Sequence, residues 1–147
     1  MRPDKLQLEV VTPEQAVLAE EVDEVDLPAE MGQIGVLPGH VPTLTKLGIG
    51  EMVVYEDGSE EHYFIVRGFA EILGDRVRVL AQECEGVDEI DIERARQELA
   101  EAEQEVERLE EERTGEDTEE DEMLESYRES LRKARRRLMV TDELDEE

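Results

Sequence analysis

The side chains able to do chemistry are few, and their spacing suits little of it. His40 and His62 are the only histidines, and neither has a cysteine or a second histidine at metal-ligand spacing. Cys84, the one thiol, sits between Glu83 and Glu85, whose carboxylates disfavour a thiolate, so an inert sulfur is expected. Carboxylates are so frequent, 43 Asp and Glu in all, that no single pair stands out as a general acid and base. Neither GxxxxGK[ST] nor GxGxxG occurs, which removes the usual backbone cradles for a nucleotide undergoing hydrolysis. No catalytic residue and no metal ligand is therefore assigned, and a small acid/base hydrolase ranks last among the readings considered.

Two motifs rise above that background, beside one charge cluster. The run Gly32-Gln33-Ile34-Gly35-Val36-Leu37-Pro38-Gly39-His40-Val41-Pro42 has glycines and prolines spaced to fix a rigid, exposed turn between strands. The run Ile90-Asp91-Ile92-Glu93-Arg94-Ala95 opens a helical pattern, with Asp91 placed to cap its first turn and Arg94 one turn further on. Arg132, Lys133, Arg135, Arg136 and Arg137 form the one dense basic cluster.

The elements that must position these residues fall into two parts. Every proline, and every glycine but Gly115, lies before residue 87. Residues 1–86 alternate apolar and polar positions between turn signals, the period of a half-buried strand. Leu6, Leu8 and Val10 share one face, and Thr12-Pro13 ends the run; further strands are read at 22–27, 34–37, 49–55, 62–66, 69–73 and 77–80. Asp57-Gly58 suits the positive backbone angles of a tight hairpin turn. The pattern predicts an all-β antiparallel sandwich or barrel.

Residues 87–147 change period. Ile92, Ala95, Leu99, Ala102, Val106 and Leu109 recur at steps of three and four, as do Leu124, Tyr127, Leu131, Ala134 and Leu138. Between them, Thr114-Gly115-Glu116-Asp117-Thr118 supplies a glycine stop and Asp or Thr caps, predicting an antiparallel two-helix hairpin with an acidic C-terminal tail. Its seams are narrow and partly built from alanine, so its packing is expected to be only marginally stable.

Charge and composition narrow the function. Sixteen basic residues against 43 acidic ones leave a net charge of −27, a field that repels nucleic acid and anionic lipid. Aromatics make up only 3%, with no Trp, too few for a large aromatic-lined pocket. A single Cys fits a reducing compartment. Arg2, Asp4, Lys5 and Glu9 break up the first ten residues, so no signal peptide is expected there, and Met31 to Thr45 reads as turn-rich and not as a span.

Taken in order, Thr12-Pro13-Glu14, the GVLPGH core of residues 35–40, Gly68-Phe69-Ala70-Glu71-Ile72, Val77-Arg78-Val79-Leu80-Ala81 and IDIERA at 90–95 resemble the epsilon subunit of F-type ATP synthases, called delta in mitochondria. The resemblance covers nearly the whole chain. It implies a β-sandwich of about ten short antiparallel strands followed by the helical hairpin. It also implies a non-catalytic central-stalk subunit of a proton-translocating synthase, peripheral on the cytoplasmic face of the inner (plasma) membrane, with no direct membrane insertion. The sandwich, residues 1–86, would bind gamma and the c-ring; residues 87–147 would regulate. Glu30, Gln33, His40 and Pro42 would face the c-ring and gamma, Gln33 standing where many relatives carry Glu.

In this family the hairpin can fold down on the sandwich or extend along gamma toward the alpha and beta subunits, where it inhibits ATP hydrolysis. Arg132, Lys133, Arg135, Arg136 and Arg137 would then face the catalytic head. Some bacterial relatives also bind ATP through I/L-D-x-x-R-A and basic residues of the second helix. Ile90, Asp91, Arg94 and Ala95 match that motif, Arg137 fits one basic position, and Lys133 stands where an Arg would complete the set, so no cofactor is required but a regulatory ATP is implied. The alternative reading is a free-standing β-sandwich binding module with a helical arm that dimerises through the 92–109 seam.

Overall fold

The computed structural model describes residues 4–113, 115 and 118–141. Of the expected Asp or Thr caps, Thr114 and Asp117 lie outside the described residues, as do Glu116 and the acidic tail from Asp142. The chain divides into two compact units, Met1–Glu89 and Ile90–Glu147.

Among the described residues, the first unit holds seven strands: β1 (Leu6–Val11), β2 (Ala16–Val22), β3 (Glu24–Ala29), β4 (Gly32–Val36), β5 (Thr43–Glu56), β6 (Ser59–Leu73) and β7 (Arg76–Gly86). They hydrogen-bond in the order β2-β1-β7-β6-β5-β3-β4. One buried cluster takes Leu6, Leu8 and Val10 from β1 together with Val25 and Leu27 from β3 and Val36 from β4. Strands at opposite ends of the hydrogen-bonded order thus share a core, as they do when a sheet folds over itself into a sandwich.

Seven strands stand where about ten were expected, because β5, β6 and β7 each cross a corner without ending. Along β6 the inward residues are Ile65 and then Ala70 and Ile72, so the alternation changes parity at Arg67-Gly68. Neighbouring strands change at the same level, β5 between Leu47 and Met52 and β7 between Ala81 and Cys84, while the pairing registers on both sides of β6 continue unbroken. A change of parity reads in sequence as the end of one strand and the start of another. Gly68 is what permits the bend. Its φ is +154°, and a Cβ there would lie 1.9 Å from the Leu80 carbonyl oxygen.

Two further departures concern pairing. The run read as one strand over 22–27 is broken at Asp23 into the end of β2 and the start of β3. The sheet is not wholly antiparallel either: β1 lies parallel to β7, from Gln7 beside Arg76 to Val11 beside Leu80. The hairpin at Asp57-Gly58 forms as expected, with φ of 50° and 85° and Glu56 opposite Ser59. Lys5, buried at the start of β1, reaches Asp23 at 2.6 Å and Asp57 at 3.2 Å, tying that turn to the β2–β3 junction.

The second unit is the hairpin, α1 (Ile92–Glu112) and α2 (Thr118–Met139). Ion pairs Glu98 to Arg137, Glu110 to Arg128 and Arg113 to Asp121 join the start of α1 to the end of α2 and the reverse, which makes the helices antiparallel. Ala95, Leu99 and Val106 are buried on α1, Leu124 and Leu138 on α2. The α1 seam, through which the alternative reading would join two copies, is paired with α2 of the same chain, as the hairpin reading expects. No described helix is long and apolar enough to cross a membrane.

Candidate functional sites on the sandwich turn and the helical hairpin

Glu30 and Gln33 lie at the turn between β3 and β4, where Ala29 pairs with Gly32. The Glu30 amide donates to the Lys46 carbonyl at 2.9 Å, which pins the turn to β5 and leaves Met31 fully exposed. Gln33 donates its side-chain amide to the Glu51 carbonyl at 3.4 Å, a contact a glutamate could not make. His40 and Pro42 belong to the connection that leaves Val36 and returns to Thr43. Because Ala29 stands beside Leu47, the first residues of β5 extend past the β3–β4 turn, so Pro42 returns to the turn's end of the sheet. His40 Nδ1 lies 2.7 Å from the Val41 carbonyl; as a carbonyl only accepts, Nδ1 carries the proton. Leu37, Val41 and Leu44 on this connection and the start of β5 are 55%, 69% and 72% exposed.

On the hairpin, Asp91 is the N-cap of α1. Its side chain accepts from the Arg94 amide at 3.1 Å and its carbonyl from the Ala95 amide at 2.9 Å, satisfying donors the first helical turn leaves open. Ile90 and Ala95 are buried. Of the expected basic residues, Arg94 and Arg137 are brought together by a residue the motif does not contain. Glu98 accepts from Arg94 Nε at 3.1 Å through one oxygen and from Arg137 Nη1 at 3.2 Å through the other. Glu98 stands one turn after Arg94 and next to the seam residue Leu99. That spacing was the only available signal for it, hidden among many other carboxylates.

Lys133 and Arg137, one turn apart, line a cavity of about 510 Å³ between the helices, opposite Glu98, Glu101 and Glu105, with Tyr127 beside them. Arg132, Arg135 and Arg136 are exposed, and the spacing of three and four puts them on a different face of α2. The basic cluster is thus two groups: Lys133 and Arg137 facing α1, and the other three facing out. Arg132 reaches back to Glu125 at 3.3 Å.

Among remaining titratable groups, Cys84 is half-buried against the sandwich core, and burial first and Glu85 second push its thiol up to about 11. Its inertness comes more from burial than from the flanking charges read in the sequence. Burial pulls the His62 imidazolium down, but Glu51 at 3.0 Å and Glu60 at 3.2 Å outweigh it and hold the ring above its ordinary value. Tyr55 donates to Asp26 at 2.8 Å, and that bond raises its phenol to about 12.

Comparison with known proteins follows these divisions. The family described as ATP synthase, Delta/Epsilon chain, beta-sandwich domain matches residues 5–87. The ATP synthase epsilon chain of Citrifermentans bemidjiense is 42% identical over 137 residues, covering 93% of this chain and 94% of that one. The epsilon chain of Geotalea uraniireducens is 46% identical over 106 residues, 72% of this chain and 77% of its own. In fold, the chain is similar to one in the Euglena gracilis mitochondrial ATP synthase, with a TM-score of 0.72 at 24% identity over 90% of this chain and 81% of that one. It is also similar to a chain of the Tetrahymena thermophila mitochondrial ATP synthase central stalk and c-ring, with a TM-score of 0.57 at 12% identity over 91% and 96%. A family match over more than half of the sequence and a relative alike along nearly all of it lead to one conclusion: the chain belongs to the ATP synthase delta/epsilon chain family.

Proposed function

We propose that the sandwich of this non-catalytic ATP synthase subunit holds gamma and the c-ring in the central stalk, while the helical hairpin restrains ATP hydrolysis by reaching the alpha and beta subunits. The subunit thereby couples c-ring rotation to ATP synthesis and sits peripherally on the cytoplasmic face of the plasma membrane. The observation that carries the reading is the likeness to an epsilon chain over 93% of the sequence, which takes in both units and not the sandwich alone. On the sandwich, Glu30, Gln33, His40 and Pro42 sit among exposed apolar residues, Met31, Leu44 and Val41 above all, on a turn pinned to its neighbours. Exposed apolar side chains with polar ones between them are the composition of a docking surface.

The hairpin suits a movable element because few of its side chains are fully buried and its polar faces are dense in charge. An element with two positions needs both to lie within a few kcal/mol of each other, which a wide apolar seam would prevent. Arg132, Arg135 and Arg136 face out and are placed to meet acidic surface on the catalytic head. A regulatory ATP fits the same residues poorly. Asp91 is engaged as a cap, and Arg94 and Arg137 are both on Glu98, so no step of the proposed regulation is routed through nucleotide.

The test is co-purification of the full chain with gamma, followed by hydrolysis assays of the assembled enzyme with and without residues 90–147. Binding to gamma with a hydrolysis rate that rises on truncation supports both halves of the reading. No affinity for gamma overturns the first half, and an unchanged rate overturns the second.

A further inference from the structure

We propose that Glu98 is a resident counter-anion, a carboxylate of the chain itself that holds the seat between Arg94 and Arg137 where a phosphate-class oxyanion would otherwise bind, and so makes the hairpin insensitive to nucleotide. The geometry is that of a bridging ligand. One oxygen meets Arg94 Nε at 3.1 Å on the same helix, and the other meets Arg137 Nη1 at 3.2 Å on the facing helix. Guanidinium groups recognise carboxylate and phosphate oxygens with the same donors, so a carboxylate fixed at contact competes directly with any phosphate arriving from solution.

Burial makes the seat demanding. The Arg137 side chain is only 16% exposed, whereas Arg94 is 73% exposed. A cation so far withdrawn from water requires an anion beside it, and Glu98 supplies one at an effective concentration that free nucleotide does not match. The surrounding cavity strengthens the exclusion. Lys133 adds one positive charge to its wall, but Glu101 and Glu105 add two negative charges on the facing helix. A polyphosphate that displaced Glu98 would lie beside three carboxylates, a repulsive arrangement that discriminates against it.

The inference rests on the hairpin being the regulatory element only for its biological meaning; the anion chemistry is tested on the isolated full-length chain. Thermal unfolding of the helices, followed by circular dichroism, is measured for the wild type, Glu98→Gln, Glu98→Ala and the double variant Glu98→Ala/Arg137→Ala, each titrated with sodium tripolyphosphate and with ATP. The wild-type midpoint should not move at millimolar anion. Both single variants should show a saturable rise, with half-saturation at least about tenfold below any response of the wild type, an affinity gain of ~1.4 kcal/mol or more. The double variant should lose that rise. Should either single variant lose helix without ligand, restoration by tripolyphosphate supports the proposal and failure to restore counts against it. Wild-type binding as tight as that of Glu98→Ala, or no anion response in folded single variants, overturns it. Neither outcome bears on whether the assembled enzyme is braked, which the hydrolysis assay decides separately.

Discussion

Arg137 and Glu98 lie 39 residues apart in sequence and meet at 3.2 Å across the hairpin, with the arginine side chain mostly withdrawn from solvent. Arg108 is a useful contrast. It pairs with Glu105 and Glu112 on its own helix and is half exposed. Exposed pairs within a helix contribute about 0.3–0.5 kcal/mol, while a partly buried pair between helices costs more to break because it strands a charge. Arg137→Gln should therefore destabilise the hairpin by ~1–2 kcal/mol and Arg108→Gln by much less. Helix melting of the two variants at low and high salt checks the order; equal losses would show that burial adds nothing here.

Gly68 sets the corner of the three longest strands. An added methyl would approach the Leu80 carbonyl oxygen to 1.9 Å and the Ala81 Cα to 2.8 Å, both backbone atoms with no freedom to swing away. Gly68→Ala should cost ~2–3 kcal/mol from steric overlap and backbone strain together. Gly74→Ala is the control, since its φ is +63° but nothing lies within 4 Å of the added carbon. Denaturant midpoints of the two variants should separate clearly, and equal midpoints would contradict the steric account.

His62 gives the sandwich a pH dependence with a definite sign. Its folded-state value is raised above 6.5, through Glu51 and Glu60 acting against burial. A raised value means the folded state holds its proton more tightly than the unfolded chain. The contribution is complete below about pH 6.5 and is lost as pH rises through the folded value. Sandwich stability should thus fall on going from mildly acidic to mildly alkaline buffer, and His62→Gln should flatten that decline. A decline of the same size in the variant assigns the effect elsewhere.

Met31 separates docking from folding. It is fully exposed at the β3–β4 turn, so Met31→Asp should change the unfolding free energy by less than ~0.5 kcal/mol. If the turn meets the c-ring, the same change should impair ATP-driven ion pumping by reconstituted membranes. Full pumping would remove the turn from the contact surface.

Local chemistry was what the sequence made legible. Asp57-Gly58 announces its turn because that dipeptide tolerates two successive positive φ values, and Asp91 announces a cap because a carboxylate three residues before a backbone donor can reach it. The face switch at Arg67-Gly68 was invisible, since one long strand changing parity reads the same as two short ones. The parallel pairing of β1 with β7 joins residues almost 70 apart and leaves no local trace. Glu98 was missed for the opposite reason. In so acidic a chain a glutamate carries little information until the two arginines it joins are seen together.

The most direct test of the central claim uses the chain ended after Glu89, where the compact sandwich unit stops. Assembled into the synthase in place of the full chain, it should remain bound to gamma, support ATP synthesis, and raise the rate of ATP hydrolysis above that of the enzyme carrying the complete subunit. Loss of the truncated chain from the complex, or hydrolysis no faster than before, would contradict the division of labour between a rotor-binding sandwich and a restraining hairpin.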